Sequence, residues 1–355
     1  MVKILIDLTP LYARKITGIE VYGIEFYQAL KKTNYEIYPV FRIRNTLDNN
    51  PNAIIIKCEN RIIAENYSLP KVLKQLKPTI AFFPIFPPPM NVYGIEGVKI
   101  VPTIHDLAFR YYYSTLSFKA RLYLIPKYNK ALKFSHAIIT ISNSVLRDIE
   151  KETQIVVYNW GNNISTSYQL RDFTFERTIL NKYGLNQGEY LVSVSTLEPR
   201  KNMQYLLSIW KILHKQYPKM KLVLVGRYGW GNTLNYSTII GELKESIIFT
   251  DYIGFDDLVN LYHFSKAFIL LSLYEGFGRT PLEALACGTR VIISDIPVFH
   301  ENMKEFGYYV SLNDSQKAAL QISSYIEMNK EQSGIDRNLF SVIEHNIVEN
   351  INKLL

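Results

Sequence analysis

Cysteine is scarce in this sequence: Cys58 and Cys287 are the only two in 355 residues. Two thiols so far apart build neither a disulfide framework nor a metal site, so a reducing, cytoplasmic setting is expected. Long apolar runs are missing too, and no stretch approaches the ~20 residues of a membrane span. The opening MVKILIDLTPLY reaches Asp7 too early for a signal peptide and reads as a first strand. No D-x-D metal motif, P-loop, internal repeat or low-complexity tract is present. The dinucleotide fingerprint G-x-G-x-x-G is absent after the first strand, where Asp7-Leu8-Thr9-Pro10 stands instead. Gly226, Gly229 and Gly231 follow a strand, but their spacing is G-x-x-G-x-G with Trp230 among them. A dinucleotide-dependent oxidoreductase is therefore disfavoured.

What is present is a globular composition, 48% hydrophobic and 20% charged, on a length that suits two domains. The 26 tyrosines supply amphipathic rings, mostly for burial. The formal charge of +8 is uneven: residues 1–160 hold 21 Lys and Arg against 12 Asp and Glu, and the remainder holds 19 against 20. A basic first half suits an anionic membrane surface, a lipid diphosphate or nucleic acid, or simply solubility.

Short β-rich runs alternate with helix-type spacing, the pattern of βαβ units and parallel sheets. In the first half the strands read as Val2–Ile6, Ile37–Phe41, Ile80–Phe83, Lys99–Ile104, Ala137–Ile141 and Ile155–Tyr158. Helices fit Gly18–Lys31 and Leu116–Phe134, the latter interrupted at Pro126. Another runs to about Glu152 from an N-cap at Ser142 or Ser144. Residues 161–178 are polar and aperiodic, a linker. A second series follows, with strands Tyr190–Val194, Lys221–Val225, Ile247–Phe249, Ala267–Leu271, Arg290–Ser294 and Tyr308–Val310. Its helices fit Met203–Gln216, Leu258–Phe264, Pro281–Ala286, Ser315–Asn329 and Leu339–Leu354. The expectation is α/β: a Rossmann-like domain over 1–165, a second over 175–338, and a C-terminal helix at about 339–355 packing back on the first. Ligands would lie at the carboxyl ends of the strands, in a cleft between the two domains.

The segment YEGFGRTPLEALACG, Tyr274–Gly288, carries the densest chemistry. A strand ends at Tyr274-Glu275, a Gly-Phe-Gly turn follows, and Thr280-Pro281 reads as N-cap and first helical residue. Such a turn opening a helix is an anion site, and Gly276 and Gly278 let a ligand approach the backbone. Glu275 at the strand end and Glu283 in the helix would flank that anion with carboxylates. Their bland roles are a solvated turn residue and a helix-dipole partner. Arg200-Lys201 after the strand Tyr190–Val194 is by itself an ordinary solvated face. At a strand's carboxyl end it becomes a fork and a point charge for a diphosphate. Asp256-Asp257 reads as the N-cap of the Leu258 helix.

The spacing Glu275-x7-Glu283 within EGFG…EALACG resembles the signature of the retaining GT-B glycosyltransferases of the large family-four group. Val194–Asn202 (VSTLEPRKN), Ser294–Val298 (SDIPV), Ile104-His105-Asp106 and Thr17–Tyr22 resemble further stretches of that group. The matches span residues 17–298, and the nearest sub-group is bacterial mannosyltransferase-like enzymes of surface-polysaccharide assembly. The resemblance implies a GT-B fold and metal-independent transfer of a hexose from a nucleoside-diphosphate sugar, with retention, to a glycan or lipid-linked glycan. GDP-mannose is the first choice of donor and a UDP-sugar the second. No cofactor is expected and no nucleic-acid partner. Peripheral contact with the inner membrane face through the basic half would fit the acceptor.

Carried over residue by residue, the resemblance makes Glu275 and His105 the catalytic groups. Glu275 would orient the sugar and buffer its developing positive charge, and His105 would contact the transferred sugar. Donor binding would fall to Gly18, Arg200, Lys201, Tyr252, Ile253, Gly276, Phe277, Gly278, Arg279, Thr280 and Glu283. Arg200 and Lys201 would stabilise the leaving diphosphate, Tyr252-Ile253 would hold the base, and Glu283 the ribose. Asp106 and Tyr22 would serve the acceptor side. The departures are Ser195, Asp251 and Glu20 where glycine is usual, and Arg279 where an aliphatic residue is usual. Arg279 would add a cation beside the diphosphate. Glu275→Ala is expected to abolish transfer with little change in folding. The rival readings are a GT-B sugar-nucleotide epimerase or phosphorylase, a nucleic-acid-binding protein and a non-catalytic scaffold.

Overall fold

A computed structural model describes residues 2–11, 17–42, 49–168, 177–227, 229, 241, 243–328 and 341–355. The chain divides into two units, one of residues 1–109, 118–163 and 341–355, the other of residues 110–117 and 164–340. The boundary at 163/164 falls inside the expected linker, residues 161–178. The segment 110–117 goes with the second unit although both its flanks lie in the first.

The first unit holds a seven-stranded sheet of β1 (Lys3–Asp7), β2 (Glu36–Arg42), β3 (Ile54–Ile56), β4 (Ile80–Phe83), β5 (Lys99–Ile104), β6 (Ile138–Thr140) and β7 (Val157–Asn159). Every pairing is parallel and the spatial order is β3-β2-β1-β4-β5-β6-β7. The second unit's sheet is β8 (Tyr190–Val194), β9 (Lys221–Val225), β10 (Ile247–Asp251), β11 (Ala267–Leu270), β12 (Val291–Ser294) and β13 (Gly307–Val310). Its order, β10-β9-β8-β11-β12-β13, is also wholly parallel. Both are the doubly wound order 3-2-1-4-5-6, the first extended by one strand. In each, the strand order reverses beside its first strand, between β1 and β4 and between β8 and β11. Open parallel sheets bind ligands at the carboxyl ends of strands at such a point.

The strands read as apolar runs because helices cover both faces of a parallel sheet. In the second unit Leu191, Leu222, Leu224, Ile269 and Ile292 bury against Leu206, Leu207, Trp210 and Leu213 of the helix Met203–Gln216. In the first, Leu5, Val40, Ala81, Phe83 and Ile100 pack with Leu69 and Leu73 of the helix Leu69–Leu76. The C-terminal helix Val342–Asn350 packs on Gly18–Leu30 in the first unit, with Lys32 and Glu344 paired at 2.5 Å.

Several local expectations change. The helix Phe118–Phe134 runs unbroken through Pro126. The carbonyl that proline leaves without a donor belongs to Leu122, whose side chain is exposed, so water can serve it. Ser142, not Ser144, caps Asn143–Glu150, its hydroxyl accepting from Val145 N at 3.1 Å. Gly254 is the N-cap of Phe255–His263, so Asp256 and Asp257 sit in its first turn, and Asp257 takes Lys182 and Tyr183 instead. Strand β3, the helical stretch from Arg61 to Leu76 and the helices Arg177–Lys182 and Pro297–Met303 went unread in the sequence. The C-terminal helix starts at Val342, and residues 339–340 of the expected span lie outside the described residues, as do Trp230 and Gly231.

Candidate active site

The loops after β8 and β11, the two strands at the second reversal point, bring three charged side chains together. Lys201 Nζ donates to Glu275 Oε1 at 2.6 Å, and Arg200 Nη1 donates to Glu275 Oε2 at 2.9 Å. Arg200 Nε also reaches Glu198 Oε2 at 2.8 Å, and Ser272 Oγ donates to Glu275 Oε1 at 2.7 Å. A backbone bond ties the two loops: Leu273 N donates to Arg200 O at 2.8 Å. Glu275 is therefore no solvated turn residue; it is 6% exposed and has two cationic partners. Burial alone would push its carboxyl up, but the charges of Lys201 and Arg200 outweigh that and hold it at about 2. Burial and the neighbouring Arg200 lower the Lys201 ammonium, with Glu275 opposing. The arrangement sets two carboxylates, Glu275 and Glu198, against two cations, Arg200 and Lys201, nearly out of solvent, which suits cations that can exchange a carboxylate for a diphosphate.

The helix after Glu275 begins earlier than expected. Gly278, with φ +85°, is its N-cap and the helix is Arg279–Ala286, so Thr280 is not the cap and Pro281 is its third residue. A Cβ at Gly278 would stand 2.6 Å from the Phe299 ring, which leaves glycine as the residue that fits. Phe277 is buried, its carbonyl accepting from Asn302 Nδ2 at 2.7 Å, and Gly276 is buried beside it. The Arg279 guanidinium turns along the helix, Nε lying 3.5 Å from Glu283 Oε1, so the geometry directs this cation at the carboxylate one turn on. Glu283 is 7% exposed among Arg279, Tyr168 and Tyr262. Burial raises its carboxyl, with Arg279 and the two tyrosine hydroxyls opposing.

Of the other expected site residues, Tyr252 and Ile253 belong to the second unit, away from this cluster on its sheet, and the rest belong to the first unit. Tyr252 and Ile253 follow β10 at the edge of the second sheet, Tyr252 exposed. Asp251 before them has φ +55°, which accounts for glycine being the usual residue there. In the first unit His105 follows β5, its Nε2 2.8 Å from Pro84 O, and its ring meets Tyr22 edge-on at 4.8 Å. Tyr22 has no exposed surface, so it supports His105 from the core and does not present itself to an acceptor. Asp106 Oδ1 accepts from Ala108 N at 3.0 Å and so starts the short helix Ala108–Tyr111. Gly18 opens the helix Gly18–Leu30. Glu20 replaces glycine there because its carboxylate accepts from Thr17 N at 2.6 Å, closing a capping box.

The sequence reading missed Glu198, Ser272 and the tyrosines. Tyr111 packs its ring 5.0 Å from Tyr274, next to Glu275. Tyr112 lies within electrostatic reach of Arg200 and Glu275. Nothing in their local pattern marks them; only the crossing of 110–117 into the second unit does. Ser272 was legible, three residues before Glu275 and just past a strand.

Residues 175–339, nearly all of the second unit, match the family described as Glycosyl transferases group 1. The second unit is a group 1 glycosyl transferase domain. A match of residues 121–210 to calpain large subunit domain III runs across the 163/164 boundary and corresponds to neither unit. Over 220 residues the chain is 29% identical to O-antigen chain mannosyltransferase RfbU of Salmonella typhimurium, covering 60% of this chain and 57% of the relative. It is 31% identical over 179 residues to the serotype-specific mannosyltransferase WbdA of Escherichia coli, covering 47% of this chain and 22% of that one. The chain thus spans between about a fifth and somewhat over half of these relatives' lengths. Among solved structures, Anabaena Alr3699/HepE in complex with UDP-glucose aligns over 99% of this chain and 100% of its own, with TM-score 0.71 and 16% identity. WaaG, a glycosyltransferase involved in lipopolysaccharide biosynthesis, aligns over 99% and 95%, with TM-score 0.68 and 11% identity. The fold is GT-B: two Rossmann-like units, each built on a parallel sheet.

Proposed function

We propose that this protein transfers a hexose from a nucleoside-diphosphate sugar to a hydroxyl of a glycan or lipid-linked glycan, retaining the anomeric configuration and using no metal ion. The observation that carries the reading is the Arg200–Lys201–Glu275 cluster at the reversal point of the group 1 domain. A diphosphate entering there would take over the Arg200 and Lys201 donors, whose charge stabilises it as a leaving group. Glu275, released in part, would accept from sugar hydroxyls and stabilise positive charge developing on the ring. Glu283 would meet the ribose, and Tyr252-Ile253 the base. His105 would contact the transferred sugar. Among the described residues no group of three or more His, Cys, Asp and Glu side chains is placed to hold a metal.

GDP-mannose is our first donor, supported by the mannosyltransferase relatives, and a UDP-sugar the second, supported by the UDP-glucose complex of a structural neighbour. For a lipid-linked acceptor, the exposed Phe118 and Leu122, with Lys119 and Arg121 between them on one helix, suit the surface of an anionic membrane. No described helix is long and apolar enough to cross one.

The deciding experiment is a thermal-shift panel of GDP, UDP, ADP and dTDP, with and without EDTA, because a ligand of the native state raises its melting point. GDP should give the largest shift and EDTA should not reduce it. Absence of any nucleotide shift would remove the reading. NMR of the product's anomeric configuration tests retention, and turnover of donor without acceptor would indicate an epimerase.

A further inference from the structure

The first unit carries a second charged cluster at its own reversal point, buried except at Arg61, and none of its residues belongs to a motif read from the sequence. Asp7 ends β1, is 6% exposed, and accepts from Thr9 N at 3.0 Å and Thr9 Oγ1 at 2.7 Å. Within its electrostatic reach lie Glu65 and Lys127. Lys127 Nζ meets Glu65 Oε2 at 2.6 Å and Tyr123 Oη at 2.8 Å, Tyr123 Oη meets Glu65 Oε2 at 2.5 Å, and Arg61 Nε meets Glu65 Oε1 at 2.5 Å. Glu65 sits in a five-residue π-helical turn, Ala64–Ser68, which faces Glu65 inward and leaves Tyr67 72% exposed. Such turns are frequent at functional sites. A buried ion-pair network adds little net stability over an apolar core, so stability alone does not explain this one.

Its composition selects a ligand class. Two carboxylates are balanced by two cations, and both carboxylates already accept from hydroxyls, Asp7 from Thr9 Oγ1 and Glu65 from Tyr123 Oη. Carboxylate acceptors beside ammonium and guanidinium donors match hydroxyl groups, which both donate and accept. Aromatic rings border the charges: Lys127 Nζ lies 4.1 Å from the Tyr123 ring centre, and the Arg61 guanidinium 4.7 Å from that of Phe86. Asp7 on β1 and His105 after β5 are two strands apart on one sheet edge, about 10 Å at the spacing of neighbouring strands.

We propose that Asp7, Arg61, Glu65, Lys127 and Tyr123 form a binding site for a neutral, polyhydroxylated sugar, the acceptor residue of the transfer. This rests on the glycosyltransferase reading. Saturation-transfer NMR on the full chain, with methyl α-manno-, gluco- and galactopyranosides as neutral probes and glycerol 3-phosphate as the anionic one, tests it. Wild type should bind at least one hexoside, and Asp7→Asn and Glu65→Gln should each weaken it at least tenfold while keeping the nucleotide thermal shift. Should Glu65→Gln fail to fold, Asp7→Asn, which keeps the side-chain shape, decides. No hexoside bound by wild type, equal binding by the variants, or binding of the anion alone would overturn the site. A wild type that binds hexoside but no nucleotide would instead overturn the glycosyltransferase reading and leave the sugar site standing.

Discussion

Lys201 Nζ and Glu275 Oε1 stand 2.6 Å apart, so the proposed leaving-group clamp and the proposed sugar-orienting carboxylate are partners in one buried ion pair. With Arg200 on the other carboxylate oxygen and Glu198 on the Arg200 Nε, both cations are paired before any donor arrives. On the proposed function a diphosphate and Glu275 would compete for the same donors, and loss of that competition on release would reset the site.

Glu275→Gln therefore does more than remove a proposed catalytic group. It leaves Lys201 and Arg200 buried side by side, and breaking a buried pair costs about 3–5 kcal/mol. The sequence alone suggested little change in folding; the structure requires a clear loss. We expect transfer reduced at least a hundredfold and a melting temperature lowered by several degrees, part of which a bound nucleoside diphosphate restores. Differential scanning fluorimetry with and without nucleotide checks both.

Asp7 should behave with the opposite sign. Burial raises its carboxyl from 3.8 to about 6, against the Thr9 bonds; Glu65 adds to the rise and Lys127 subtracts from it. As pH climbs from 3.8 the unfolded chain ionises first, so this residue increasingly favours unfolding, and the penalty is complete above about 6. Asp7→Asn should match wild type near pH 4 and be more stable at pH 7, by up to about 3 kcal/mol. Urea unfolding at the two pH values measures it; equal stabilities at pH 7 would refute the buried charge.

Much of this was legible in the sequence because parallel strands buried on both faces are continuous apolar runs, and all but one of the thirteen strands among the described residues were found that way. The exception, β3, is a three-residue edge strand with Ile55 half exposed. Glu275, Arg200 and Lys201 were legible because each follows a strand at the reversal point. That they bond one another was not, since 74 residues separate Lys201 from Glu275. Tyr112 and the Asp7–Glu65–Lys127 cluster were hidden for the same reason: only folding joins them. The helix start at Gly278 was misread because Thr280-Pro281 is a good cap pair, but Gly278 with its positive φ turns the chain first.

At Asp251 the chain holds φ +55° on a residue with a side chain. Glycine removes that strain but adds freedom to the unfolded chain, and the two effects are each on the order of 1 kcal/mol. Because aspartate tolerates this region better than most residues, Asp251→Gly should change stability by less than about 1 kcal/mol. If the segment holds the base, nucleotide affinity should shift with it. Isothermal titration of GDP against UDP for both proteins shows whether Asp251 sets base preference.

Gly226 offers the sharpest test of how the second reversal point is assembled. Its φ is +138°, and a Cβ there would lie 2.0 Å from the Ser195 carbonyl oxygen, a backbone atom that cannot swing aside. Ser195 N is itself bonded to Val225 O at 3.0 Å, Leu197 N to Arg227 O at 2.9 Å and Gly229 N to Leu197 O at 3.0 Å. The loops after β8 and β9 are thus laced together, and any retreat of Ser195 carries the chain leading to Glu198, Arg200 and Lys201. Gly226→Ala should cost several kcal/mol, combining strain of 1–3 kcal/mol with the displaced contacts. It should also weaken nucleoside-diphosphate binding at least tenfold, although residue 226 makes no charged contact. Gly94→Ala, with no atom within 4 Å of the added Cβ and no positive φ, is the control and should leave both unchanged. A Gly226→Ala protein that is destabilised yet binds nucleotide normally would show that the Arg200–Lys201 loop is held from β11 alone.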